Sequence, residues 1–76
     1  MMLVEYRKTL GSVIRDARRK KRFTISDLVY ETRIAHPTIR KIERGIVYTK
    51  LDTLLTICQA LEVKPSVLFE MVESRL

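Results

Sequence analysis

Apolar residues recur three and four positions apart through nearly the whole chain, a period that builds one buried stripe along a helix and does not suit a strand. Leu10, Val13, Ile14 and Ala17 form the first such stripe, which predicts a helix from about Glu5 to Lys21 with a basic opposite face. Breakers are scarce. Two glycines, Gly11 and Gly45, and two prolines, Pro37 and Pro65, give little support to hairpins with tight turns.

Local signals divide the rest of the chain into four more helices. Thr24 with Asp27 three residues later is a capping box, and Phe23 before it can pack back as a hydrophobic staple, so a second helix is expected from Ile25 to about Thr32. Ile34, Ile39 and Ile42 outline a short third helix from about His36 to Arg44, stopped by Gly45, which readily takes the left-handed conformation that follows a helix end. Thr49 and Asp52 predict another cap, opening a helix to about Leu61 whose stripe of Leu51, Leu54, Leu55, Ile57, Cys58 and Leu61 is broad enough to be mostly buried. Pro65 suits the first turn of a last helix, where its missing N–H costs nothing, and Val67, Leu68, Met71 and Val72 follow at helical spacing. The expected fold is all-α: five short helices in one domain over residues 1–76, with its core over about 5–73.

Length and composition narrow the function classes. A chain of 76 residues has room for a single core. No apolar run approaches the roughly 18 residues of a membrane span, and Met1 to Thr9 lacks the apolar stretch of a signal peptide, so a cytoplasmic protein is expected. The single cysteine, Cys58, has no partner for a disulfide and no neighbours at metal-ligand spacing; it is read as a small buried hydrophobe, with no metal site and no cofactor. No Ser/His/Asp, Cys/His or paired-carboxylate arrangement supports an enzyme.

Charge is unevenly distributed. Residues 1–22 carry eight Lys or Arg against Glu5 and Asp16, residues 23–50 carry five against three acidic residues, and residues 51–76 carry two against four. The N-terminal part therefore favours a polyanion, either a nucleic acid or an anionic membrane surface. A membrane-surface helix is disfavoured because the apolar face of the first helix is needed for the core.

The order of these segments resembles the phage repressor and Cro-like helix-turn-helix family over about Leu10 to Phe69. The resemblance rests on Leu10-Gly11-x-x-Ile14-Arg15-x-x-Arg18, Phe23-Thr24-x-x-Asp27-Leu28, Ile34-x-x-x-Thr38-Ile39-x-x-Ile42-Glu43-Arg44-Gly45 and Leu51-x-x-Leu54-Leu55-x-Ile57-x-x-Ala60-Leu61-x-Val63. It implies a compact five-helix DNA-binding domain in which Leu28, Ile34, Ile39 and Ile42 anchor two crossing helices, and the second enters the major groove. Base-reading residues carried over from the family are Ala35, His36, Pro37 and Lys41, together with Arg40. Phosphate contacts are expected from Thr38, Arg44 and Lys50, and from Arg18 or its neighbours in the basic run Arg18 to Arg22 on the first helix. The family pattern also implies an ion pair between Glu43 and Arg18. Four positions depart from it: Arg33 and Glu62 stand where glycine is usual, Ala35 replaces a Ser or Thr cap, and Ile25 replaces a polar residue.

The implied protein is a sequence-specific transcriptional regulator of double-stranded DNA, a homodimeric repressor or autoregulator. The apolar surface of Val67, Leu68, Met71 and Val72 is the expected dimer interface. An antitoxin that binds a toxin partner and its own promoter is the alternative; it is disfavoured because such a partner-binding segment normally needs chain outside the five helices.

Overall fold

The computed structural model describes residues 3–76, and the helical period is realised in five α-helices with no strand among those residues: α1 Leu3–Lys20, α2 Ile25–Thr32, α3 His36–Glu43, α4 Leu51–Leu61 and α5 Pro65–Arg75. Met1 and Met2 lie outside the described residues. α1 begins two residues earlier than its stripe predicts, with Glu5 in the first turn and Arg18, Arg19 and Lys20 in the last, charges placed to complement the helix dipole.

The stripes meet in one core. Val13 and Ile14 of α1, Leu28 of α2, Ile39 of α3, Ile57 of α4, and Leu68 and Val72 of α5 are all essentially inaccessible to solvent. Burial of each such Leu, Ile or Val side chain is worth roughly 1.5–3 kcal/mol. α1 is the central spar, with α5 and α3 packed against it, while α2 rests on α3 and α4. Gly11 permits the closest approach: a Cβ at this position would sit 2.4 Å from the Ile42 carbonyl oxygen and 2.6 Å from that of Glu43.

The helix starts follow their capping chemistry in one case and not in another. Asp27 N–H donates to Thr24 Oγ1 at 3.0 Å, and Thr24 N–H donates to Asp27 Oδ2 at 2.8 Å, completing the box ahead of α2. The box expected from Thr49 does not form. Lys50 is the cap residue of α4, without a side-chain bond, and Asp52 instead accepts from the Thr53 N–H at 2.7 Å, one residue into the helix.

Four helix ends turn through a left-handed residue, and one of the four is glycine. These residues are Arg22 (φ 63°), Arg33 (φ 62°), Gly45 (φ 69°) and Glu62 (φ 56°). After α3, Gly45 N–H donates to the Ile42 carbonyl and Ile46 N–H to that of Lys41, both at 3.0 Å. The same double closure follows α1, where Arg22 N–H reaches Arg19 O and Phe23 N–H reaches Arg18 O, and α4, where Glu62 and Val63 bond back to Gln59 and Cys58. α2 closes through Arg33 N–H to Val29 O at 2.7 Å. Such closures satisfy the carbonyls that every helix C-terminus leaves open.

The α5 surface differs from its expected role. Leu68 and Val72 are 1% and 0% exposed, because α5 turns them onto α1 and into the core, so they are removed from any dimer interface. Val67 and Met71 lie on another side of the helix, Val67 exposed and Met71 half-buried.

Candidate nucleic-acid interface

α2 and α3 form the two-helix unit, joined by Arg33, Ile34 and Ala35. The turn is held by Thr32, whose hydroxyl donates to Leu28 O at 2.7 Å and accepts from the Ile34 N–H at 3.2 Å. The left-handed conformation of Arg33 ends α2 and turns the chain toward α3, and the Arg33 guanidinium lies 5.9 Å from the Tyr30 ring centre. Ala35 caps α3 with no side-chain bond, and Pro37 occupies the first turn.

α3 is divided sharply into two faces. Ile39 and Ile42 are buried, which fixes the helix on α1 and α2, while Ala35, His36, Pro37, Thr38, Arg40, Lys41 and Arg44 are exposed; so is Lys50 beyond the helix. The single acidic residue of α3, Glu43, points inward. Arg18 Nε donates to Glu43 Oε2 at 2.7 Å and Arg18 Nη2 to Glu43 Oε1 at 3.0 Å, a two-pronged buried bridge between α1 and α3. Such forked guanidinium–carboxylate pairs fix orientation as well as contributing energy. The exposed face of α3 thus carries cations and no carboxylate.

The placement of Arg18 revises its expected contact role. Its side chain is 9% exposed, and its remaining guanidinium nitrogen Nη1 donates to the Phe23 carbonyl at 2.8 Å. Arg18 therefore serves inside the fold, holding Glu43 and the α1–α2 turn, and is not a surface cation. Its neighbours take the outer position. Arg15 and Arg19, one helical turn apart on α1, share with Arg40 and Arg44 of the α3 region a cleft of about 220 Å³ that also touches Ile25 and the paired Arg18 and Glu43.

Sequence reasoning reached Arg19 as a neighbour of Arg18 in the basic run Arg18 to Arg22 but did not single out Arg15, although a spacing of four places the two on one helix face. Arg40 also borders this α1-side cleft, on the flank of α3 and not at the middle of its outer face. Tyr48 was missed too: the Arg7 guanidinium sits 4.8 Å from its ring centre. No interval in the sequence signals that pairing, because it joins α1 to the α3–α4 loop.

A two-helix unit with a short α2, a three-residue turn and a basic outer α3 face without a carboxylate defines a helix-turn-helix domain of the DNA-binding type. The family model of the Cro/C1-type HTH DNA-binding domain matches residues 13–74, and the chain belongs to that family. Among solved structures, the chain is similar to the restriction-modification controller protein C.Esp1396I, crystallised as a tetramer in complex with its natural 35 base-pair operator. The two share 30% sequence identity with a TM-score of 0.83, and the match covers 91% of each chain. It is similar in fold to the clp gene regulator ClgR from Corynebacterium glutamicum, at 23% identity and a TM-score of 0.86, over 91% of this chain and 88% of that one. No curated protein matches the chain by sequence.

No helix among the described residues is long and apolar enough to cross a membrane. The fold and family are those of DNA-binding regulators.

Proposed function

We propose that this chain is a sequence-specific transcriptional regulator that binds double-stranded DNA as a homodimer, as a repressor or autoregulator in the cytoplasm. The observation that carries the reading is the two-faced α3: its carboxylate is buried against Arg18 while its outer side presents His36, Pro37 and Lys41, flanked by Arg40 and Arg44. The 30% identical controller protein, crystallised on its operator, supports the regulatory assignment.

The roles divide by position. Lys41 donates to guanine O6 or N7, His36 donates or accepts according to its tautomer, and Ala35 and Pro37 touch a thymine methyl or a sugar. Arg40, on the flank, reaches either a guanine edge or a phosphate. Thr38, Arg44 and Lys50, with Arg15 and Arg19 across the cleft, contact phosphates, which position the protein without reading sequence. Arg18 is a positioning residue that acts through Glu43.

A dimer needs an apolar surface outside the core, and α5 supplies little once Leu68 and Val72 are internal. The α3–α4 loop and α4 supply more: Ile46, Tyr48, Leu51 and Leu55 are 55%, 62%, 66% and 43% exposed. These four fall within one stretch, Ile46 to Leu55, and exposed apolar groups of this size are candidates for an interaction surface. This one adjoins the C-terminal end of α3, so a two-fold contact there sets the separation of the two reading helices. The domain of residues 1–76 works as one unit in this reading.

Selection of bound sites from random duplex DNA tests the whole proposal. The expected result is a two-fold symmetric site whose half-sites are centred about 34 Å apart or a multiple of it. Lys41→Ala changes the preferred bases, whereas Arg44→Ala weakens binding to every site and lowers the salt slope by about one. Binding with no sequence preference, or binding indifferent to both substitutions, overturns it. Sedimentation of the Leu51→Lys, Leu55→Lys double variant is expected to show monomers where the parent chain shows dimers; an unchanged dimer removes this interface.

A further inference from the structure

A second surface lies away from the reading face. Between the C-terminal half of α1, the α4–α5 turn and α5 runs a groove of about 580 Å³, to which α2 and α3 contribute no lining residue. Its floor is apolar, built from Ala17, Leu61, Val63, Val67 and Met71.

The rim is charged in an ordered way. At one end Arg75 Nη1 of α5 donates to Asp16 Oδ2 of α1 at 2.8 Å, and at the other Lys21 pairs with Glu62. The Lys21 ammonium, by its hydrogen bond and its charge, holds the Glu62 carboxyl below its ordinary range. Lys20 also borders the groove and has no carboxylate partner among the described residues. With both acidic rim residues already engaged, the unmatched charge of the groove is a single positive one over an apolar floor.

We infer that this groove binds a small organic acid, an aromatic ring system lying on Val67 and Met71 with its acid group on the Lys20 ammonium. The volume accommodates a molecule of two or three rings, within the range of small-molecule sites. The two ion pairs border the groove with charges that are already matched, which leaves the apolar floor and Lys20 as the features a ligand can use. A neutral apolar ligand leaves Lys20 unmatched, and a second acid group meets Asp16 or Glu62 at either end.

The test uses the intact chain and 1-anilinonaphthalene-8-sulfonate, which carries two aromatic systems and one anionic group. Saturable fluorescence enhancement with one probe per chain is expected. Lys20→Gln weakens it about threefold, the range for an exposed ion pair, while Lys8→Gln, a loss of the same charge outside the groove, leaves it unchanged. Val67→Glu, at an exposed position that the core does not need, abolishes the enhancement with the helical circular dichroism signal intact. The uncharged analogue N-phenyl-1-naphthylamine binds more weakly than the sulfonate. Equal binding by the parent and Lys20→Gln chains, tighter binding of the uncharged probe, or an enhancement that survives Val67→Glu overturns the assignment. So does a dimer that Val67→Glu dissociates, because the groove is then covered by a second copy.

Discussion

Arg18 and Glu43 stand 25 residues apart in the chain and meet in a forked bridge whose side chains are 9% and 3% exposed. The bridge ties the end of α1 to the end of α3, so α3 is fixed from below by charge as well as by Ile39 and Ile42. Replacing one member strands the other in the interior. Glu43→Ala is expected to cost about 3–5 kcal/mol, and an Arg18→Met, Glu43→Leu double variant to recover much of that loss. Urea unfolding of the three chains decides it; a Glu43→Ala chain as stable as its parent shows that the bridge does not hold α3.

Gly11 sets the distance between the same two helices. The nearest atoms to an added Cβ are backbone carbonyl oxygens, which cannot rotate away as a side chain does. Gly11→Ala therefore destabilises the fold by about 1–3 kcal/mol, despite the roughly 0.5–1 kcal/mol that alanine ordinarily gains over glycine within a helix. DNA affinity falls as well, since α3 must shift outward. A chain with a higher melting temperature after this change would refute the close approach.

The left-handed helix ends offer the opposite change. An L-residue there costs roughly 1–2 kcal/mol, of which glycine restores part at the expense of a more flexible unfolded chain. Arg22→Gly is expected to raise stability by about 0.5–1 kcal/mol. Arg33→Gly gains less because it also removes the stacking on Tyr30, an exposed cation–π contact worth about 0.5 kcal/mol. Thermal unfolding should rank the two in that order, and a loss of stability in Arg22→Gly would contradict the strained turn.

Alkaline pH weakens the fold through two groups. Burial raises the Cys58 thiol, and burial reinforced by the charge and hydrogen bond of Glu73 raises the Tyr6 phenol. In both, the folded state favours the protonated form. Their contribution is whole below the pH at which the unfolded groups ionise, about 8.5 for a thiol and about 10 for a phenol, and is lost as pH climbs toward the raised folded values. Unfolding free energy is expected to fall from about pH 8.5 upward in the parent chain and to fall less steeply in Cys58→Ala. Parallel profiles would dissociate Cys58 from the effect.

The helical period gave the five elements and most of the core because burial stripes and caps are local properties. Ile39 and Ile42 could be placed from spacing, Leu28 came from the family resemblance, and the Thr24–Asp27 box fixed the start of α2. The errors lie where a partner had to be chosen. α5 carries apolar groups on several sides, and only the docking of α1 decides that Leu68 and Val72 are core while Val67 borders a groove. Thr49 and Asp52 had suitable spacing for a cap, yet α4 starts at Leu51 and Asp52 bonds to its own neighbour. In the site, the resemblance implied the Arg18–Glu43 pair but also gave Arg18 a phosphate contact, which its burial removes. Its burial depends on Glu43 arriving from another helix, and the outward role of Arg15 and Arg19 follows from that same arrangement.

The division of α3 bears on how such a protein changes over time. Ile39, Ile42 and Glu43 secure the helix from within, while His36, Pro37 and Lys41 contribute no buried side chain to its seating. Positions of the second kind are interchangeable like the teeth of a key whose shank is unaltered. If these positions read DNA as proposed, a lineage can acquire a new target by a few surface replacements without first sacrificing solubility or folding yield, and paralogous copies in one cell can diverge in the sites they occupy while retaining a common scaffold.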